Sequence, residues 1–507
     1  MTAPRPAPVN YIELSAGRFD HANGSDASGM AKIMSDIAAA KPKNLVIHFH
    51  GGLVSRQSAL ASAEQLSPLY TAAGAASFFV IWETSSREIV GQNIERIFNE
   101  PIFQTILLRA TEFVKGKLDK AVGPEGGRGG AGLPQTFASE IQDELDKGKR
   151  GEAMFDDLDM QGLSPGQAPT PDLALTPDEQ QYIEDRVNSD EDLGREVQAI
   201  VASKTAAGSR SVTGVTAQST LMDPDVVAEI APGDSAAEDE KSRSILGTIM
   251  LGKRVVTVVG AVIWRYANGR DHGLYLTIVE EIMRAFYVRA AGRFLWTQMK
   301  DAVGSAFTKQ PDYGGTAFVG QLGRFWKDCK PCITLVGHSA GAIYVGRLLQ
   351  ELNAAMDSDF RVKVVLIAPA CTFDFLAESL RTADKRVASL RIFGMSDAVE
   401  RNDHLVPGIY PASLLYFVSG VLEDERDEPL AGMQRYYTDR YAGARFNSVA
   451  EVKEFGCLKK DHAYAWANTE GFNGANCDMV THGGWARAPA TLASVLYLIQ
   501  EGCSNGG

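Results

Sequence analysis

The sequence predicts an α/β fold: a doubly wound, mostly parallel sheet carrying a large, mainly helical insertion. Short β-branched runs bounded by turn residues occur near both ends of the chain, helical patterns lie between successive runs, and a long middle segment has few strand-like runs. Continuous apolar strands alternating with helices require a parallel sheet covered on both faces.

In chain order, residues 44–52 (NLVIHFHGG) and 76–83 (ASFFVIWE) read as buried strands, with a helix over 55–70 between them. The insertion spans 86–321. Residues 89–122 form one amphipathic helical pattern, and the glycine-rich run 123–135 reads as a linker. Residues 151–243 are rich in Asp, Glu, Ser, Pro and Ala, a composition that favours partial disorder. Helix returns over 244–264 and 274–307. The strands at 333–341, 362–370 and 388–397, with a helix over 342–352, complete the sheet. The sheet is thus built from 1–85 and 322–507, interrupted by 86–321.

Composition narrows the function classes. The 507 residues allow about three domains of ~150 residues, or one large domain with insertions. Hydrophobic residues at 45% and charged residues at 22% exclude a wholly disordered or collagen-like chain. A net charge of −13 argues against nucleic acid as a partner, because phosphate binding needs a basic surface. Cys329, Cys332, Cys371, Cys457, Cys477 and Cys503 show no framework spacing, so a disulfide scaffold is not expected. The N-terminus lacks the apolar core of a secretory signal, and the longest strongly apolar run, 255–264, falls short of the ~20 residues of a spanning helix. A soluble cytoplasmic protein is the expectation.

Several motifs lack the context their chemistry requires. The G-x-G-x-x-G match at Gly127 to Gly132 sits inside the linker, without a preceding strand. In the near phosphate loop from Gly247, Arg254 replaces the Ser or Thr that would hold magnesium, so an apolar helix is expected there. Cys329 and Cys332 form a lone C-x-x-C with no second pair for a structural metal, and read as ordinary thiols. His48 and His50 share one face of a strand, but nearby acids supply no third metal ligand; a structural role beside Gly51 and Gly52 is expected.

One motif has its context. Gly337-His338-Ser339-Ala340-Gly341 fits G-x-S-x-G between a strand and a helix. With 49 glycines in the chain, composition alone gives roughly a third of one accidental match, and a second copy, Gly162 to Gly166, lies in an acidic loop with no strand before it. A serine on a tight strand-to-helix turn exposes its hydroxyl near the helix N-terminus, where free N–H groups favour negative charge.

On these residues the sequence resembles the α/β-hydrolase family of serine hydrolases, over about 10–84 and 322–507. The resemblance implies the chain order nucleophile, acid, histidine. Ser339 is the implied nucleophile. Asp397, just after a late strand, is the first candidate acid; Asp403, ahead of Val406-Pro407, is its rival, and Asp374 a third. His482, in THGGW before the last helix, is the implied base, ahead of His462 and His404. A histidine titrating near neutrality can accept and return a proton. The oxyanion donors are expected from Ala340 and from Gly52 or Leu53, since His50-Gly51-Gly52-Leu53 is similar to the HGG-type loop of esterases and lipases. The implied activity is carboxylic ester hydrolysis by an esterase or lipase, without metal or other cofactor. An amidase or peptidase using the same triad, and a non-catalytic interaction scaffold, are the alternatives.

The substrate would be a small-molecule or lipid-like ester. Apolar runs at 245–251 and 255–264 suit a lid with an acyl groove as well as they suit ordinary core. Lys253, Arg254 and Arg265 flank the second run and are compatible with membrane-surface contact, and amphipathic helices offer faces for a homo-oligomer.

Overall fold

The computed structural model describes residues 9–82, 87–122, 173–208, 220–232, 240–458, 463–468 and 471–501. The fold is α/β. Eight strands, β1 (Tyr11–Ser15), β2 (Arg18–Phe19), β3 (Asn44–Phe49), β4 (Ala75–Trp82), β5 (Cys332–His338), β6 (Val362–Ile367), β7 (Val387–Gly394) and β8 (Tyr464–Trp466), form one sheet in the order β2-β1-β4-β3-β5-β6-β7-β8. Only the β1–β2 pair is antiparallel. β6 is buried at every position, and β3 and β5 at all but one end residue. Strands buried in this way need cover on both faces. The helices Arg56–Ala72 and Pro489–Gln500 pack on each other and on the sheet; Gly341–Ala355 packs on β5 with Gly314–Cys329 and Phe373–Thr382 beside it.

Five sequence expectations change. The single pattern over 89–122 is two helices, Arg87–Phe98 and Pro101–Val122; a proline restricts the residue before it, so the second helix begins at Pro101. The pattern over 274–307 likewise splits into Leu274–Phe286 and Arg293–Ala306, where Gly292 takes a left-handed φ of 105°. Within the acidic stretch, Pro177–Asn188 and Glu191–Gly208 are helices. Thr176 and Glu179 cap the first reciprocally, and Ile183, Val187, Leu193 and Val197 bury a stripe against the helix Glu240–Ala267. The fourth change concerns that last helix. Residues Lys241–Ala267 are long and apolar enough to cross a membrane by length and composition, beyond the ten-residue run read from sequence, because Lys253 and Arg254 interrupt an otherwise apolar stretch. It packs against five other helices and Arg265 near its end is fully buried, while Ile245, Leu246 and Trp264 are exposed. The near phosphate loop from Gly247 is helical here. The decoys at Gly127 and Gly162 lie outside the described residues. Cys329 is a free thiol, whereas Cys332 is disulfide-bonded, so only one of that pair is an ordinary thiol.

A buried polar network ties the insertion to the segment after β7. Arg265 Nη1 pairs with Glu280 at 2.8 Å and Glu281 at 3.2 Å. His272 lies between Glu280 (2.8 Å) and Asp427 (3.0 Å), so both ring nitrogens face carboxylate oxygens. Tyr410 donates to Glu280 and Tyr436 to Asp427. Burial opposes ionisation, yet the adjacent His272 and Arg265 hold the Glu280 carboxyl below its usual range.

Candidate active site

Registration of the central strands builds the site. β3 and β5 pair in parallel with Phe49 opposite Gly337, so both chains leave the sheet at the same edge, side by side. The chain runs from β3 to β4 on one side and from β5 to β6 on the other. Such a divergence opens a crevice at the carboxyl ends of parallel strands.

At the end of β5 the backbone turns sharply, and Ser339 takes φ +52°. A non-glycine residue held there costs about 1–3 kcal/mol. Its amide donates to Ile367 O (2.9 Å), and its carbonyl accepts from Ala342 N and Ala370 N, both at 3.1 Å. The flanking glycines are required by space. A Cβ on Gly341 would stand 2.4 Å from Phe49 O, and one on Gly337 would stand 2.9 Å from Val345 Cγ2. Leu53 is also left-handed (φ 55°), which folds the His50–Leu53 loop back onto the turn. A Cβ on Gly52 would meet Ala340 Cβ at 3.0 Å and Met299 Cε at 3.2 Å. The insertion therefore reaches this site through the helix Arg293–Ala306. The amides of Gly52, Leu53 and Ala340 make no hydrogen bond among the described residues.

His482 comes from the loop before the last helix. Its Nε2 lies 2.8 Å from Ser339 Oγ, and both residues are only 3% exposed. Two further contacts fix the loop: His482 N–H donates to Asp403 Oδ2 at 2.7 Å, and His338 Nε2–H donates to the His482 carbonyl at 3.0 Å. Trp485 packs on His48 and His338 rather than serving only to wall His482.

The three candidate acids occupy different places. Asp403 is buried and is the one of the three that bonds His482, through the main-chain N–H of His482 and not through its imidazole ring. Asp397 instead accepts from Tyr416 OH (2.5 Å) and Arg401 Nε (3.3 Å), and its amide donates to Gln434 Oε1. Burial resists its ionisation, but Arg435 and Arg401 keep its carboxyl below the usual range. Asp374 is exposed in the first turn of the helix Phe373–Thr382. A short helix, Asp397–Glu400, follows β7 and carries the chain one turn further before Asp403 reaches the histidine. His404 stands next to Asp403 without contacting Ser339, and His462 lies outside the described residues. Glu400, missed in the sequence, is fully buried and bonded to Ser413 Oγ. Burial, with Asp403 and Asp397 nearby, pushes its carboxyl well above the usual range.

No protein-family profile, curated protein or solved structure matches this chain.

His48 and His50 are structural in their contacts. His48 Nδ1 meets Tyr70 OH at 3.0 Å; His50 accepts from Trp82 N–H at 3.0 Å and donates to Gly51 O at 2.7 Å. Burial lowers His48 to about 3 and His50 to about 4. Both therefore stay neutral in the fold, while the unfolded chain binds protons below ~6.5. Their contribution to stability is complete above that value and is lost as pH falls through 6.5 toward the folded-state values. We expect urea-unfolding free energy to drop between pH 7 and pH 4 by on the order of 5 kcal/mol for the pair, and His48→Gln to flatten that slope by about half.

Proposed function

We propose that this protein is a serine hydrolase of the α/β-hydrolase type that cleaves carboxylic esters. The observation that carries the reading is the 2.8 Å contact between His482 Nε2 and Ser339 Oγ, on a left-handed turn between a strand and a helix. In this reading Ser339 Oγ attacks the acyl carbon while His482 Nε2 accepts its proton. The tetrahedral oxyanion forms beside the amides of Ala340 and of Gly52 or Leu53, which are unengaged among the described residues. His482 then protonates the departing alkoxide, and water, deprotonated by the same nitrogen, releases the acid from Ser339. Asp403 is the acid that positions His482. No metal or cofactor enters the steps. Ser339 is 3% exposed, and the helix Arg293–Ala306 touches the oxyanion loop through Met299, so in this reading that helix borders the path of the ester. In this reading the candidate lid is the helix at 293–306 rather than the apolar runs at 245–264.

The test is labelling with a fluorophosphonate probe beside turnover of p-nitrophenyl esters of graded chain length. Wild type is expected to label and turn over. Ser339→Ala is expected to lose the label and to slow hydrolysis by about 10⁴–10⁶-fold. Absence of both label and turnover in the wild type, or equal labelling of Ser339→Ala, removes the reading.

A further inference from the structure

On the insertion, the helices Glu240–Ala267, Leu274–Phe286 and Arg293–Ala306 meet the loop bearing Arg426 around a cleft of about 420 Å³. Five cations line it, Lys253, Arg254, Arg284, Arg293 and Arg426, against two carboxylates. Both carboxylates are already committed. Glu229 pairs with Arg254 at 2.9 Å; Glu281 is 1% exposed and shared between Arg265 at 3.2 Å and Arg426 at 2.8 Å. Arg293 pairs with Asp424 at the rim.

That leaves positive charge without a protein counter-ion. Lys253 is exposed, and its ammonium group has no hydrogen bond or ion pair among the described residues; only its carbonyl is engaged, by Thr257 Oγ1. Arg284 donates only to backbone carbonyls, those of Gly420, Val421, Glu423, Asp424 and Glu425. Arg426 engages Glu281 through Nε, and its Nη1 and Nη2 make no hydrogen bond among the described residues. Burial, reinforced by Arg426, Arg293 and Arg265 and opposed by Glu281, lowers Arg284 to about 10. This crowding stands out on a chain whose net charge is −13.

We propose that this cleft binds a phosphate group, carried on a small phosphomonoester or on a lipid headgroup. Phosphate fits better than carboxylate because it offers up to two charges and three terminal oxygens to donors converging from several helices. The volume exceeds that of a bare ion and falls within the roughly 300–1,000 Å³ of ligand pockets. Met250, Val258 and Ala285 in the lining would face the organic part. The site is separate from Ser339 and holds whether or not the chain hydrolyses esters.

The test is calorimetric titration of the full chain with inorganic phosphate and with glycerol 3-phosphate. It is run beside co-sedimentation with phosphatidylcholine vesicles with and without phosphatidic acid. Lys253→Glu and Arg426→Gln, checked for folding by circular dichroism, are each expected to weaken binding by about tenfold or more. Lys253 is exposed and unpaired, so its variant decides the matter alone if Arg426→Gln fails to fold. Saturable binding of a soluble probe, weakened in the variants, sustains the proposal with a free phosphoester as ligand. Binding confined to phosphatidic acid vesicles and weakened in the variants sustains it with a headgroup. No saturable binding of any probe overturns it, as does binding of equal strength in wild type and folded Lys253→Glu. Equal co-sedimentation with plain phosphatidylcholine, without soluble-probe binding, also overturns it and points instead to exposed apolar groups such as Phe294, 61% exposed beside Arg293.

Discussion

Asp403→Asn is expected to lower kcat/KM on a p-nitrophenyl ester by about 10³–10⁴-fold, while Asp397→Asn lowers it by less than about tenfold. The difference follows from what each carboxylate holds. Asp403 is buried against the base and takes the backbone N–H of His482 at 2.7 Å, so its charge favours the imidazolium formed during attack on the ester. An asparagine of equal size removes that charge and can turn an N–H toward the loop amide, disturbing the loop as well. The charge of Asp397 is balanced locally by Arg435 and Arg401, and it accepts from Tyr416, so its loss acts on packing. Rates of fluorophosphonate labelling should follow the same order, since labelling needs the same activated serine. The reverse ranking, with Asp397→Asn crippled and Asp403→Asn mild, would restore Asp397 as the working acid.

Arg265→Met is expected to destabilise the fold by about 3–5 kcal/mol, measured by chemical unfolding. Arg265 is fully buried and faces Glu280 and Glu281, themselves 0% and 1% exposed. Methionine fills much of the same volume, so the cost comes from the two carboxylates left short of positive charge in a low-dielectric site. The triple variant with Glu280→Gln and Glu281→Gln should recover a substantial part of the loss, because its buried groups are neutral. A single variant as stable as wild type would show that His272 and Arg426 suffice for those carboxylates.

The sheet was legible because its strands are apolar on both faces and bounded by turns. β3 to β7 stand within a few residues of their sequence positions. The exceptions have physical causes. β2 and β8 are edge strands of two and three residues, and β1 beside β2 has only five, so their apolar runs are too brief to register against helix. In the insertion, periodicity marked helix but missed the breaks at Pro101 and Gly292, and acidic composition concealed the buried stripe of Ile183 and Val187. At the site, strand-then-helix context singled out Ser339, and chain order led to His482; the fold brings these two together. Which aspartate lies at the His482 loop was harder to read, because spacing along a loop does not report how far a short helix displaces a carboxylate; Asp403, not Asp397, accepts from the His482 main chain. His338 and Glu400 act through contacts that only folding creates. A histidine at the variable position of G-x-S-x-G gives no sequence signal of a bond to the His482 carbonyl.

The insertion also sets the timing of assembly during synthesis. β3 finds one neighbour, β4, within about 30 residues, but its other neighbour, β5, follows about 250 residues after β4 ends. At roughly 5–20 residues per second, β3 therefore waits about 10–50 s with a hydrogen-bonding edge unpaired. The helices of the insertion contact one another over shorter spans and can form during that interval. Closure of the sheet, and with it the meeting of the His50–Leu53 loop with Ser339, then comes as a late event. A nascent chain stalled within the insertion presents an open apolar strand, which makes this interval the one in which holding factors matter most.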